Sequence, residues 1–238
     1  MIRTSYLLAG AAFLGTAGLL LTFDVQSAEA TAVSSPVLVE LYQSQGCSSC
    51  PPANANLNAL ADRPDVVALS FAVTYWDQLG WKDTFAKPQF TARQWEYARA
   101  NDRANVATPQ IWVNGRTTIV GNDGRQLAAT IRSAQTSGPS LSVQGTTVAV
   151  GAGSAPAGGA DVWVAHYDPR SLAVPIRAGE NGGRTLPHRN IVRRLVNLGR
   201  WTGNAATYAA PAPAPGLATA AFVQGGNGGP VLVAAKAS

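Results

Sequence analysis

Cys47 and Cys50 are the only thiols in this chain, and two serines separate them. Thiolates are nucleophiles and soft metal ligands, so a C-x-x-C pair can exchange disulfides, hold a soft metal or stand as an inert bridge. Residues three apart lie on one face of a helix. One helical turn also supplies the Cα separation of roughly 4.4–6.8 Å that a disulfide requires. Structural zinc needs four ligands, and no further cysteine exists. A bridge over two residues closes almost no loop and stabilises little. The spacing therefore points to thiol–disulfide chemistry, with protein or small-molecule thiols and disulfides as partners. The alternatives are copper(I) handling, with His166, His188 or a residue the sequence does not single out as a third ligand, and a non-enzymatic binding module with an idle disulfide.

The flanking residues say how the pair is held. Val37 to Tyr42 is a run of strand formers, and Ala53 to Ala61 is helix-compatible with an apolar stripe at Leu57, Leu60 and Ala61. A strand, a tight turn, two cysteines and a helix form the context in which C-x-x-C reads as a redox pair. Helix starts favour anions, so Cys47 is expected to be the nucleophile, with the N–H groups of Ser49 and Cys50 facing its sulfur. Cys50, one turn deeper, is expected to resolve the mixed disulfide. The site residues expected to act are Cys47, Cys50 and Pro109.

Val66 to Val73 is a second apolar run, as a central parallel strand requires. The aromatic loop Thr74 to Asp83 follows, then a polar helix near Thr91 to Asn101 with Trp95 and Ala98 on one side. Asn114-Gly115 between two β-rich runs predicts a hairpin. Gln126 to Gln135 predicts a last helix, with Leu127 and Ile131 four apart. Strand-helix-strand-helix-strand-strand-helix is the thioredoxin order. Pro109 precedes the third strand, where a cis Thr108–Pro109 bond is expected. In thioredoxin-like folds such a proline lies against the cysteines and leaves the backbone before it free to pair with a bound peptide. Tyr75, Trp76, Asp77 and Thr108 are expected to support the site. Asp83, in the same loop, is either a proton carrier for the resolving thiol or a loop cap.

Composition changes at residues 136–140. Short β-like runs and glycine-rich turns follow, including Asp161 to Tyr167 and a final hairpin of Ala221 to Gln224 with Val231 to Ala234. This predicts a small antiparallel β-rich domain, sandwich or barrel, over residues 137–238 after an α/β thioredoxin-like domain over 31–136. His166 sits on an apolar strand, where a structural role is the expected one. His188 lies with Glu180, Asn181 and Asn190 in a polar loop that has no recognisable catalytic order.

The start of the chain adds a location. Arg3, an uncharged apolar run from Thr4 to Phe23 and Ala28-Glu29-Ala30 make a secretory signal peptide, with cleavage expected after Ala30. That predicts a periplasmic or secreted protein with no stable membrane insertion after processing, in a compartment that keeps disulfides oxidised. Removing one arginine and two acids would raise the formal net charge from the +5 of the whole chain by one. Charged residues make up only 13% of the chain and no basic stripe with interleaved aromatics occurs, which argues against nucleic acid as a partner. There is no Ser-His-Asp spacing, P-loop or dinucleotide fingerprint.

Several stretches together resemble the secreted bacterial proteins of domain-of-unknown-function family 1223. They are Glu40 to Pro52, Tyr75-Trp76-Asp77-Gln78-Leu79-Gly80-Trp81-Lys82-Asp83, Thr108-Pro109-Gln110 with Val113-Asn114-Gly115, Glu180-Asn181-Gly182-Gly183-Arg184 and Asn190-Ile191-Val192-Arg193. The resemblance spans nearly all of the chain after residue 30. It implies a thioredoxin-like domain followed by a β-rich region, and it supplies no function. Members of that family often carry a His and an Asp just before the Tyr-Trp-Asp. Here Ala72 and Thr74 stand in those places, which weakens any metal or proton-relay role at that strand end.

Overall fold

The computed structural model describes residues 1–2 and 35–237, so the expected signal peptide and the cleavage after Ala30 lie outside the described residues. Strand β1 (Val37–Gln43) is buried along its whole length and runs parallel to β2 (Val66–Ala72), Val37 opposite Val66 and Gln43 opposite Ala72. Continuous apolar sequence suits both, because each strand is covered on two faces. Helix α1 (Pro51–Asn58) makes the crossover between them, and its two prolines occupy first-turn positions where no N–H is needed. Helix α2 (Pro88–Ala100) covers one face, where Leu38, Tyr42, Leu69 and Phe71 meet Phe90 and Tyr97. α1 and α3 (Gly124–Ser133) cover the other, where Val39, Leu41 and Ala68 meet Leu57, Leu127 and Ile131. The buried stripe of α2 is Phe90, Arg93, Gln94, Tyr97 and Ala98. Trp95, expected there, is only half-buried.

Strand β3 (Gln110–Val113) lies antiparallel to β1 and turns back as β4 (Thr117–Ile119). Asn114 and Gly115 both have positive φ, 47° and 61°, as a two-residue hairpin turn demands. A Cβ at Gly115 would also press into the Tyr97 ring at 2.8 Å.

The change in composition near residue 136 does not separate two sheets. The remaining strands are β5 (Leu141–Gln144), β6 (Thr147–Val150), β7 (Ala160–Asp168), β8 (Leu172–Pro175), β9 (Thr185–His188), β10 (Ile191–Trp201), β11 (Ala206–Ala209), β12 (Ala218–Gly225) and β13 (Val231–Lys236). Four of them continue the first sheet in the order β13-β12-β7-β10-β2-β1-β3-β4. The joint is Ile191 beside Ser70, where Ser70 N–H donates to Asn190 O at 2.9 Å. A bare β2 would leave a row of unpaired backbone groups, and β10 covers that edge. The expected separate sandwich or barrel over 137–238 is therefore a continuation of one mixed sheet, and Ser34–Ser238 form one compact unit. A three-stranded sheet, β11-β6-β5, packs on it through Val148, Val162, Val164, Trp201 and Val223. β8 and β9 form a separate hairpin. Among the described residues no helix is long and apolar enough to cross a membrane.

Candidate functional site

The cysteines sit in the connection between β1 and α1. Cys47 N–H donates to Ser44 O at 3.1 Å and Cys50 N–H to Cys47 O at 3.2 Å, so the chain makes a tight turn before the helix. Cys50 is the N-cap of α1, and Asn54 N–H donates to its carbonyl at 3.0 Å. The Cα atoms are 5.5 Å apart and the sulfurs lie at disulfide distance. One expectation needs correcting here. Cys47 stands a turn ahead of the helix, and the Cys50 N–H expected to face its sulfur is spent on the Cys47 carbonyl. The polar neighbours of Cys47 Sγ are instead Ser49 Oγ at 3.3 Å and Thr108 O at 3.7 Å. Both cysteines are fully buried, while Ser48 and Ser49 between them are exposed.

The Thr108–Pro109 bond is cis, and it presents the Thr108 carbonyl to Cys47. Its position is braced from both sides. Trp76 Nε1 donates to Thr108 Oγ1 at 2.7 Å. Gln94, buried on α2, donates to Ala107 O and to Gln110 Oε1, both at 2.8 Å. The Tyr75 hydroxyl donates to Gln94 Oε1 at 3.3 Å, and burial pushes it up to about 12, so it stays a neutral donor.

Two further loops close over the turn. From the aromatic loop, Trp81 Nε1 donates to Gln45 Oε1 at 2.9 Å, and Asp83 Oδ2 accepts from Gln45 N–H at 2.7 Å. Burial pushes the Asp83 carboxyl up to about 6, although the N–H groups of Gln45 and Phe85 hold it down. Asp77 Oδ1 accepts from Asp83 N–H at 3.1 Å. From the β8–β9 connection, Asn181 Nδ2 donates to Gln45 O and to Cys47 O, both at 2.9 Å. Arg184 Nη1 orients that amide through Asn181 Oδ1 at 2.7 Å. Glu180 Oε2 accepts from Ser48 N–H at 3.0 Å and Ser48 Oγ at 2.7 Å, which holds the Glu180 carboxyl below its usual range.

Of the residues expected from sequence, the structure gathers Cys47, Cys50, Thr108, Pro109 and Trp76 into one place. Tyr75 acts one step away, through Gln94. Asp77 caps the loop and does not touch the cysteines. Gln45, Gln94, Glu180, Asn181 and Arg184 also belong to the site, though the sequence assigns them no role in it; the last three stand out only as a polar run among glycines in a stretch that carries the family resemblance. His188 falls at the end of β9, edge-on to Phe85 at 5.9 Å, with neither ring nitrogen hydrogen-bonded. Burial pushes it down to about 4. Among the described residues no group of three His, Cys, Asp or Glu side chains gathers.

A family model described as a protein of unknown function (DUF1223) matches residues 38–224. The crystal structure of protein AGR_C_4864 from Agrobacterium tumefaciens is similar at 30% identity and a TM-score of 0.72, over 86% of this chain and 94% of that one. HBP35 of Porphyromonas gingivalis shares the fold at 13% identity and a TM-score of 0.56, over 86% of this chain and 75% of that one. No curated protein matches the sequence.

Proposed function

We propose for this chain, which belongs to the family of proteins of unknown function DUF1223, thiol–disulfide exchange at Cys47 and Cys50. The observation that carries this reading is the Cys47 sulfur 3.7 Å from the Thr108 carbonyl, in a turn whose two thiols can bridge. The order β1-α1-β2-α2-β3-β4-α3, with the cysteines before α1 and the cis proline before β3, supports a thioredoxin-like arrangement of this half.

In the reducing direction, Cys47 thiolate attacks one sulfur of a substrate disulfide. A Cys47–substrate S–S bond forms, the substrate S–S bond breaks, and the departing thiolate takes a proton from solvent. Cys50, having lost its proton, then attacks the Cys47 sulfur. The intramolecular disulfide forms, the second substrate thiolate leaves, and two electrons have passed to the substrate. The reverse sequence oxidises a dithiol. Entry to Cys47 requires the cover formed by residues 178–184 and Ser48 to move aside, and the Glu180–Ser48 bonds are its outermost tie. Work in an exported, oxidising compartment belongs to the same proposal, because there the resting pair is the disulfide.

The experiment is capture of the intermediate. Reduced Cys50→Ser protein is mixed with a small aromatic disulfide, and bound aryl thiol is followed by mass. One equivalent held on Cys47, with Cys47→Ser reacting far more slowly, is expected. Equal rates for the two variants, or reaction only after unfolding, would overturn the assignment.

A further inference from the structure

A second site is built on the opposite side of the sequence, in β7, β10 and the loop before β12. A cleft of about 610 Å³ is lined by Lys87, His166, Arg170, Arg193, Arg194 and Leu217, with Asp168 and the 212–215 Ala/Pro run completing its wall. That volume suits a small organic ligand. None of these residues belongs to the cysteine turn.

The arginines are placed by a specific backbone feature. Successive strand residues point to opposite faces, so Arg193 and Arg194 could not line one cleft from a regular strand. The β7–β10 register breaks at this point: Val192 pairs with Tyr167 and Arg194 with His166, so β10 advances two residues while β7 advances one. A β-bulge of this kind re-aims a side chain, and both arginines line the same cleft.

Their charge is only weakly answered among the described residues, Arg193 acting at a distance on Asp168. Asp168 is the one acid in the lining, and it is taken by Arg170 at 2.6 Å. Among the described residues Lys87, Arg193 and Arg194 have no carboxylate partner. Lys87 Nζ donates to the Arg193 carbonyl, and the Arg193 guanidinium stacks on the Phe85 ring at 4.9 Å, which fixes its position. On the opposing strand His166 is 1% exposed; its Nδ1 meets Thr219 Oγ1 at 3.0 Å, and its Nε2 has no hydrogen-bond partner. Burial first, and the charge of Arg194 second, push its pKa down, so the ring is neutral near pH 7 and can donate or accept.

We infer that this cleft binds a small organic phosphate, a phosphomonoester on an apolar body, through Arg193 and Arg194 at the bulge, with Pro213, Pro215 and Leu217 against the body. Paired guanidinium forks match the oxygens of a dianionic phosphate. A solvated basic face, by contrast, would have neither the bulge nor the apolar wall.

Octyl phosphate, below its micelle-forming concentration, is the probe, titrated calorimetrically into the full chain. Saturable one-to-one binding is expected, weakened about tenfold or more by Arg194→Ala and by raised salt. Arg194 is exposed, so its variant should unfold at the same temperature as the parent, and that midpoint is measured alongside. Octanol should not bind, and inorganic phosphate should bind at least about tenfold more weakly than the ester. Absence of saturable binding, affinity unchanged in Arg194→Ala, or inorganic phosphate binding as well as the ester would overturn the inference. Because the readout is binding, its failure leaves the cysteine chemistry untouched.

Discussion

Two buried polar clusters flank β1, and they are held in opposite ways. On the α2 face, Glu40 lies fully buried, with Arg93 Nε at 2.8 Å and Nη2 at 3.2 Å and the Tyr97 hydroxyl bonded to its second oxygen. Three aromatic rings, Tyr97, Trp163 and Phe222, enclose the guanidinium at 4.9–5.4 Å. Both charges are answered by core side chains, and Glu40, Arg93 and Tyr97 are all buried. At the cysteine turn the polar groups are answered by loops, and the outermost partner, Glu180, is exposed. The first arrangement locks strand to helix. The second has its outermost tie, Glu180 to Ser48, at the surface, where it can break without disturbing the core.

Breaking the core cluster should have the largest effect. Arg93→Met leaves the buried Glu40 carboxyl without its counter-charge, at an expected cost of about 3–5 kcal/mol in urea unfolding. Adding Glu40→Gln should recover part of that loss. Neither change should move the reduction potential of the cysteines by much, and a large shift would mean that the two clusters are coupled.

The next test uses acid. Asp83 and His188 are linked through Phe85, whose N–H bonds the carboxylate and whose ring meets the imidazole. Burial moves them in opposite directions, Asp83 from 3.8 to about 6 and His188 from 6.5 to about 4. For Asp83 the folded value is raised, so its contribution is fully present below pH 3.8 and is lost as pH rises through 6. For His188 the folded value is lowered, so its contribution is present above pH 6.5 and is lost as pH falls toward 4. Each amounts to about 3 kcal/mol, and they offset between pH 4 and 6. Parent stability should therefore be nearly flat across that window. Asp83→Asn should turn it into a decline toward low pH, and His188→Leu into a rise, both read from urea midpoints at stepped pH.

Much of the cysteine turn was legible in the sequence because its determinants are local. The apolar run into β1, the C-x-x-C spacing, Pro109 and the Asn114-Gly115 turn each depend on neighbours within a few residues. The cover was not legible. Glu180 reaches Ser48 across 132 residues and Asn181 reaches Gln45 across 136, and neither hydrophobic period nor turn chemistry encodes such a meeting. The same limit hid the joining of β10 to β2. Short β-like runs after residue 136 predict strands, but a strand's alternation does not say whose edge it will cover. The displaced helix start has a simpler cause: Pro51 and Pro52 favour the first helical positions, which pushes Cys47 out into the turn.

The smallest expected effect falls on the latch. Glu180→Gln weakens the tie to Ser48 without touching the core, so the melting temperature should hold while reduction of the oxidised protein by dithiothreitol becomes a few-fold faster. Asn181→Ala should act in the same direction and also cost some stability, because the carbonyls of Gln45 and Cys47 lose a buried donor. An unchanged reduction rate in both variants would place the barrier to entry elsewhere.

The reduction potential of Cys47–Cys50, equilibrated in glutathione buffers and read by thiol alkylation, bears on the redox reading most directly. A working exchange centre predicts a value between roughly −270 and −120 mV, the span of known dithiol catalysts. A value below about −300 mV, with the pair oxidised across every physiological buffer, would identify an inert structural bridge and contradict catalysis at this site.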